Sequence, residues 1–214
     1  LENKVTDLRG QKYYGTNTIT AEGAAIGSFY GLEAIGIFQN ASEISKHAFQ
    51  NAGTQPGDLK YRDVDGNGVI DNNDRVVIGN SIPKYTYGFS LSGEFKGVEL
   101  SAIFQGIGDV DTYLTGNLAQ PFKNGAGVTR EWLTDSWTPE NPNARLPRLT
   151  TSNGYPQNFI TSSFWVQDAS YLRLKNIQLS YTLPPRLVAK AGFTKCKVFV
   201  NAQNYLTFSK FKFS

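Results

Sequence analysis

Between Tyr85 and Phe95 the chain changes character at every residue. Tyr85, Tyr87, Phe89, Leu91 and Phe95 fall on one parity, and Thr86, Gly88, Ser90, Ser92 and Glu94 on the other. A period of two predicts a β-strand with one apolar and one polar face. Lys96-Gly97 predicts a tight turn, after which Val98, Leu100, Ala102 and Phe104 alternate with Glu99, Ser101, Ile103 and Gln105. The two runs therefore predict a hairpin with a very short connection. A third strand is expected over Tyr171–Thr182. Its apolar phase slips, with Leu172 and Leu174 on one parity and Ile177, Leu179 and Tyr181 on the other. A bulge near Lys175-Asn176 would restore the face. Pro184-Pro185 ends this strand, and Arg186–Ala191 makes a single helical turn at most, closed by Gly192. A fourth strand follows over Lys195–Ser209, with Val198, Val200, Ala202, Leu206 and Phe208 on one face and Lys197, Asn201, Gln203 and Phe199 on the other.

The rest is less regular. Leu1–Gly10 reads as a strand end and turn, and the polar Gln11–Ala25 as loop. Ile26–Gln39 mixes aromatics with glycines, which opposes a helix and predicts short, bent strands. Ala41–Phe49 predicts a short helix with Ser42 as its N-cap. Between the second and third clear strands lies a long insert, Gly106 to about Ser163, rich in Asn, Gly, Pro and Thr, with one short helix expected over Thr129–Trp137. Alternation alone leaves two architectures open: a transmembrane β-barrel, whose apolar face meets lipid, and a soluble β-sandwich, whose apolar face turns inward. Short connections on either side of one very long one favour an all-β, antiparallel barrel segment with long extracellular loops, because outer-membrane barrels have short turns on one side and long loops on the other.

Composition narrows the functions. Charged residues make up 18% of the 214, below the ~25% of ordinary soluble domains. The net charge of +3 comes from scattered Lys and Arg, which gives no footprint for nucleic acid. No apolar run is long enough for a transmembrane helix, and no signal peptide is present. The chain begins with Leu1 and contains no methionine, so a processed product or a fragment is expected. Cys196 stands alone, which rules out an internal disulfide, and is expected to be a small buried hydrophobe. His47 is the single histidine and reads as a loop or surface residue.

The densest chemistry lies in Asp63-Val-Asp-Gly-Asn-Gly-Val-Ile-Asp-Asn-Asn-Asp74. Oxygen-bearing side chains occupy loop positions 1, 3, 5, 9 and 12, glycine position 6, and a β-branched residue position 8. This is the spacing of an EF-hand-type calcium loop with Asp in place of the final Glu. Asp63, Asp65, Asn67 and Asp71 would supply side-chain oxygens, Val69 its carbonyl, and Asp74 would close the shell around Ca2+. A metal-free, Asx-rich turn is the competing reading. No long amphipathic helix flanks the loop, so a structural role in an extracellular or periplasmic setting is expected.

In the insert, Tyr113, Phe122, Trp132, Trp137, Tyr155 and Phe159 could stack on sugar rings, but packing into the loop's own small core is the stronger expectation. The pairs Asp109/Asp111 and Glu131/Asp135 lack any supporting catalytic motif and read as solvated charge or capping. No nucleophile elbow, zinc-protease, phosphate-loop or paired-cysteine motif is present, so no enzyme is expected.

Five ordered blocks then carry a resemblance. They are Glu22-Gly23 with Ile26–Gly31 and Gly36–Gln39; Pro56–Asp63 running into Asp65–Asp71 and Asp74-Arg75; Ile78–Asn80 with Pro83–Phe89; Trp137–Ala144 with Pro147–Leu149; and Tyr171–Asn176 with Leu179–Pro184 and Asn201–Leu206. Together they resemble the C-terminal portion of a SusC/RagA-type TonB-dependent outer-membrane transporter of the Bacteroidetes kind. The resemblance implies a segment of a plugged barrel of 22 strands in the Gram-negative outer membrane, in contact with outer-membrane lipid. It implies import of a nutrient, commonly a glycan or oligosaccharide, with a SusD-like surface lipoprotein as lid and TonB as the energy source. The plug, the TonB-contacting segment, most of the barrel and the final strand are not in this sequence. The alternative from another class is a secreted soluble β-sandwich that binds carbohydrate and is stabilised by calcium.

Overall fold

The structure, a computed structural model, describes residues 3–117, 119–151 and 154–211. In chain order the strands are β1 (Tyr13–Tyr14), β2 (Thr18–Thr20), β3 (Ser28–Gly31), β4 (Ala34–Ile37), β5 (Leu59–Tyr61), β6 (Val76–Gly79), β7 (Tyr85–Phe95), β8 (Val98–Gly108), β9 (Asp111–Tyr113), β10 (Val166–Asp168), β11 (Tyr171–Thr182) and β12 (Lys197–Ser209). The short helices are α1 (Ala41–Lys46), α2 (Arg130–Thr134) and α3 (Pro185–Val188). The described residues divide into two compact units, one built on residues 83–110 and 168–211, the other on residues 3–82 and 111–167.

The first unit is an antiparallel meander in the order β12-β11-β8-β7. Its turn is set by Lys96 and Gly97, both at positive φ (50° and 82°), which is the type I′ geometry that matches the twist of two-residue hairpins. The phase slip in β11 is a bulge at Lys175: Leu174 faces Phe104 while Asn176 faces Ile103. β12 follows the same irregularity with Asn204 and Tyr205, Leu206 facing Leu174 and Gln203 facing Asn176. Asn204 takes the left-handed conformation (φ 52°) there, a region Asn tolerates better than most side chains. These extra residues keep Leu172, Leu174, Ile177, Leu179 and Tyr181 of β11 on one side, together with Ala202 and Leu206 of β12.

The second unit packs most of the long insert together with residues 3–82. Trp132, Trp165, Leu146 and Ala119 form one buried cluster, supported by Tyr113, Leu114, Val128, Phe159 and Phe164. Leu32, Leu59 and Tyr61 form another, with Ile37, Ile70, Ile160 and again Phe164 against it. Backbone bonds join the two stretches: the Leu32 amide donates to Thr161 O (2.9 Å) and the Ser163 amide to Leu32 O (2.9 Å). The sheet β1-β2-β3-β6 and the ribbons β4-β5 and β9-β10 complete the unit. Polar residues 11–25, expected as loop, thus supply two of its strands, held by the pairings Tyr14↔Ile19 and Thr18↔Phe29.

Three local expectations are corrected. The N-cap of α1 is Asn40, whose side chain accepts from the Glu43 amide at 2.9 Å, and not Ser42, which lies inside the helix. The insert helix is shorter than expected, Arg130–Thr134, because the Asp135 carbonyl turns away to accept from the Leu146 amide. Cys196 is half-buried, just outside the start of β12, instead of lying in the strand as a core residue.

Candidate functional site: a two-faced sheet and an acidic loop

The register of the first unit lines up side chains in rows across all four strands. On one face the rows are Phe95–Val98–Tyr181–Val198, Gly93–Leu100–Leu179–Val200, Leu91–Ala102–Ile177–Ala202, Phe89–Phe104–Leu174–Leu206 and Tyr87–Gly106–Leu172–Phe208. On the other they include Ser92–Ser101–Gln178–Asn201 and Gly88–Gln105–Arg173–Thr207. Polar contacts belong to the second face: Lys197 pairs with Glu99, and Arg173 Nε donates to Thr207 Oγ1 at 3.0 Å.

No second layer covers the apolar face among the described residues. Leu91 is 62% exposed, Val200 66% and Phe95 73%. Phe89, Leu91, Phe95, Leu100, Leu179, Val198, Val200, Leu206 and Phe208 are each exposed. At half their full burial value they leave on the order of 10 kcal/mol of transfer free energy unrealised in water. That is comparable to the whole stability of a domain, so water is the wrong solvent for this face. The sandwich alternative required these residues to pack inward, and they do not.

Dimensions agree with lipid. Eleven residues at ~3.3 Å each, tilted by ~45°, cross ~25 Å, the height of the apolar band of an outer-membrane barrel. Tyr85 and Tyr87 mark one end of the face and Phe95 and Tyr181 the hairpin end, as interfacial aromatic girdles do. Gly106 is small for a stated reason: a Cβ there would lie 2.5 Å from the Tyr87 ring and from Tyr171 O, so the Tyr87 ring lies across the strand in place of a side chain.

The acidic loop lies in the second unit and is built from nested turns. Asp63 accepts from the Gly66 (2.8 Å) and Gly68 (2.9 Å) amides. These bonds, Gly68 foremost, hold its carboxyl below the usual range. Asp65 accepts from the Asn67 backbone amide at 3.1 Å, and Asn67 Oδ1 from the Val69 amide at 2.7 Å. Gly66 and Gly68 sit at positive φ (74° and 83°), which a side chain would strain. The loop is stapled to its surroundings by Phe49 N→Gly68 O and Ile70 N→Phe49 O, both 2.8 Å, and by Ile70 packing on the Leu32–Leu59–Tyr61 cluster.

Of the expected ligands, Asp63, Asp65 and Asp74 come together, each offering an oxygen within 4.8 Å of the others. Asp74 is fully buried and accepts from Val64 N and Asp71 N, each at 2.7 Å. Asp71 lies outside that cluster as the N-cap of a 3-10 turn, accepting from Asn73 N at 2.6 Å. The Val69 carbonyl takes no hydrogen bond among the described residues. Three converging carboxylates are a hard-oxygen donor set, the chemistry that suits Ca2+ or Mg2+ rather than a softer metal.

The insert aromatics mostly serve structure. Trp132, Trp137 and Tyr155 are buried and Phe159 stacks on Trp165 at 5.9 Å, whereas Phe122 stays exposed. Glu131 and Asp135 both pair with Arg145 (3.5 and 3.2 Å), and Asp109 pairs with Lys84 (3.5 Å). His47 is half-buried, its Nε2 2.7 Å from Tyr61 O and its ring edge-on to Phe38.

A contact that no local pattern announces holds the second unit together. Asp58 is fully buried and accepts from Arg148 Nε at 2.6 Å, from Asn158 Nδ2 at 2.9 Å and, through its other oxygen, from the Gln55 amide at 2.8 Å. Asn158 Oδ1 in turn accepts from Leu59 N at 2.8 Å. Beside it, Gly57 (φ 91°) lies under Trp137, where a Cβ would come within 2.4 Å of the ring.

Comparison with known proteins agrees with this geometry. No protein-family profile matches the chain. TonB-dependent receptor P3 of Formosa agariphila is 34% identical over 195 residues, covering 90% of this chain and 19% of the relative. TonB-dependent receptor P26 of the same organism is 28% identical, covering 99% and 22%. Among solved structures, the RagAB peptide importer in its open-open state matches with a TM-score of 0.67 at 27% identity, covering 97% of this chain and 22% of that one. The closed-closed state of the same importer gives 0.67 at 28% identity. The chain therefore spans about a fifth of the length of its relatives. With its uncovered apolar wall, its polar reverse face and these likenesses, the chain is a segment of a TonB-dependent receptor of the SusC/RagA family.

Proposed function

We propose that this segment forms part of the wall and outer loops of an outer-membrane importer of nutrient oligomers, glycans foremost, which works with a SusD-like surface lipoprotein and draws energy through TonB. The observation that carries this reading is the four-stranded sheet with an uncovered apolar face and a mainly polar reverse. The apolar face meets lipid, the polar rows line a water-filled interior, and the second unit forms extracellular loops. Relatives named as TonB-dependent receptors support import rather than catalysis. The likeness to a two-component importer supports a lipoprotein partner. Peptide is the second reading of the cargo, since those neighbours are peptide importers. The test is uptake. Cells carrying the full-length transporter should accumulate labelled oligosaccharide, and should lose that uptake when TonB or the adjacent lipoprotein is deleted. Uptake indifferent to both deletions would refute the importer reading, and uptake of peptides alone would reassign the cargo.

We further propose that Asp63, Asp65 and Asp74, with the Val69 carbonyl, hold Ca2+ in a structural role. The ion would neutralise three converging carboxylates, and the Phe49 and Ile70 contacts would pass that rigidity to the core of the second unit. Isothermal titration of the metal-stripped full-length protein with calcium tests it, and absence of binding heat would remove the site.

A further inference from the structure

A cleft of about 680 Å³ opens over the β1-β2-β3-β6 sheet of the second unit, within the volume range of small-ligand sites. Its walls combine Lys12 and Arg75 with the rings of Tyr14 and Tyr30 and the amides of Asn17 and Asn73. No carboxylate lines it. Among the described residues neither cation is in an ion pair. Arg75 spends one N–H on Asn72 Oδ1 (3.1 Å), and among the described residues its other nitrogens have no acceptor. Tyr14 and Tyr30 meet at 5.8 Å between centroids, tilted by 54°. Burial pushes the Tyr30 phenol up, Tyr14 adds to that, and the Arg75 charge pulls it back.

We propose that this cleft binds an acidic oligosaccharide, a nutrient chain carrying carboxylate or sulfate groups, so that it acts as a loop-borne selectivity site of the importer proposed above, on which reading it rests. A guanidinium offers paired N–H donors to a planar carboxylate or to sulfate. An uncompensated pair of cations favours an anion over a neutral ligand. The exposed Tyr14 ring gives a sugar face a stacking platform, and the Asn17 amide, which has no partner among the described residues, can donate to one hydroxyl and accept from its neighbour. The walls hold no apolar side-chain pocket to select alternate residues of a peptide, which favours an acidic glycan over an acidic peptide.

The test uses the full-length transporter in detergent, with calorimetric titration of four matched probes: tetragalacturonate, a sulfated tetrasaccharide, neutral maltotetraose and tetraglutamate. The expected result is binding of one or both acidic saccharides, weakened about tenfold or more by Arg75→Ala, weakened by Tyr14→Ala and by rising salt, with maltotetraose bound much more weakly. Uronate binding that fades below about pH 4 while sulfate binding persists would assign the anionic group. Equal affinity for maltotetraose, unchanged affinity in Arg75→Ala, preference for tetraglutamate, or no binding of any probe would each overturn the proposal. Heat-modifiable migration on gels verifies that each variant keeps a folded barrel, and the exposed Lys12→Ala supplies a second variant with no structural role. A folded, membrane-inserted barrel that ignores acidic saccharides refutes the cleft and leaves the importer reading standing. Uptake by cells that is indifferent to deletion of TonB and of the adjacent lipoprotein refutes the latter.

Discussion

Replacing Arg148 by alanine should open the second unit without dissolving the barrel wall. Asp58 has no exposure to water, and the Arg148 side chain is 23% exposed. Without the guanidinium, Asp58 keeps only the Asn158 amide and the Gln55 N–H, and a carboxylate stays buried with no counter-charge. Breaking a buried pair from one side costs ~3–5 kcal/mol, and the partial exposure of Arg148 puts this case near the lower end. At 1.4 kcal/mol per tenfold, hydrogen-exchange protection at amides closed by this contact should drop by about 10²- to 10³-fold. Those amides include Leu59 N→Asn158 Oδ1 and Arg148 N→Gly57 O (2.7 Å). Peptides from β7, β8, β11 and β12 should keep their protection. Asp58→Asn removes the charge together with the pair and should cost less, and in the double variant the two effects should fall short of their sum, because the residues share one network. Protection unchanged in Arg148→Ala, or lost equally in the barrel strands, would refute this account of the second unit.

Other outcomes follow from the same geometry. Leu179→Arg, in the middle of the apolar face between Leu100 and Val200, should destabilise the inserted barrel by ~2–4 kcal/mol, while Gln178→Arg on the reverse face should cost little, as urea unfolding in lipid vesicles will show. Calcium should raise the melting temperature of the second unit, and Asp65→Ala should abolish that rise, as differential scanning fluorimetry will test. Because hydrogen bonds depress Asp63, its contribution is present above the ordinary carboxylate range near pH 3.9 and fades as pH falls through the lower folded value. Burial pushes the phenols of Tyr61, Tyr113 and Tyr155 up. Their stabilising share is therefore full below the ordinary tyrosine value near 10 and lost as pH rises toward the folded ones, so the near-ultraviolet dichroism of the unit should collapse in strong alkali together with phenolate absorbance.

The barrel wall was legible because each of its signals is local. Alternation, the Lys96-Gly97 turn and the phase slip at Lys175 each occupy a few consecutive residues, and period two admits a single way to keep Leu174 and Ile177 on the same side. The second unit was not legible for the opposite reason. Asp58 meets Arg148 and Asn158 at separations of 90 and 100 residues, and Trp165, outside the aromatics singled out in the insert, completes its core. The six-residue helix α1 shows the limit of local signals: Asn40 and Ser42 are both good caps, and the choice fell to the residue whose carbonyl also receives the Ile44 amide. In the acidic loop, spacing anticipated the convergence of Asp63, Asp65 and Asp74 but not the diversion of Asp71 into a cap, since one carboxylate can serve either purpose at that position.

The orientation of the sheet in lipid is the claim on which the rest depends, and the single cysteine makes it measurable. In a Cys196→Ser background of the full-length protein, nitroxide labels placed one at a time at Leu100, Leu179 and Val200, and at their neighbours Ser101, Gln178 and Asn201, can be read for collision with oxygen, which concentrates in lipid, and with a water-soluble nickel chelate. The first three sites should favour oxygen and the second three nickel, alternating residue by residue along each strand. Nickel access at Leu100, Leu179 and Val200, or an absence of alternation, would contradict a barrel wall.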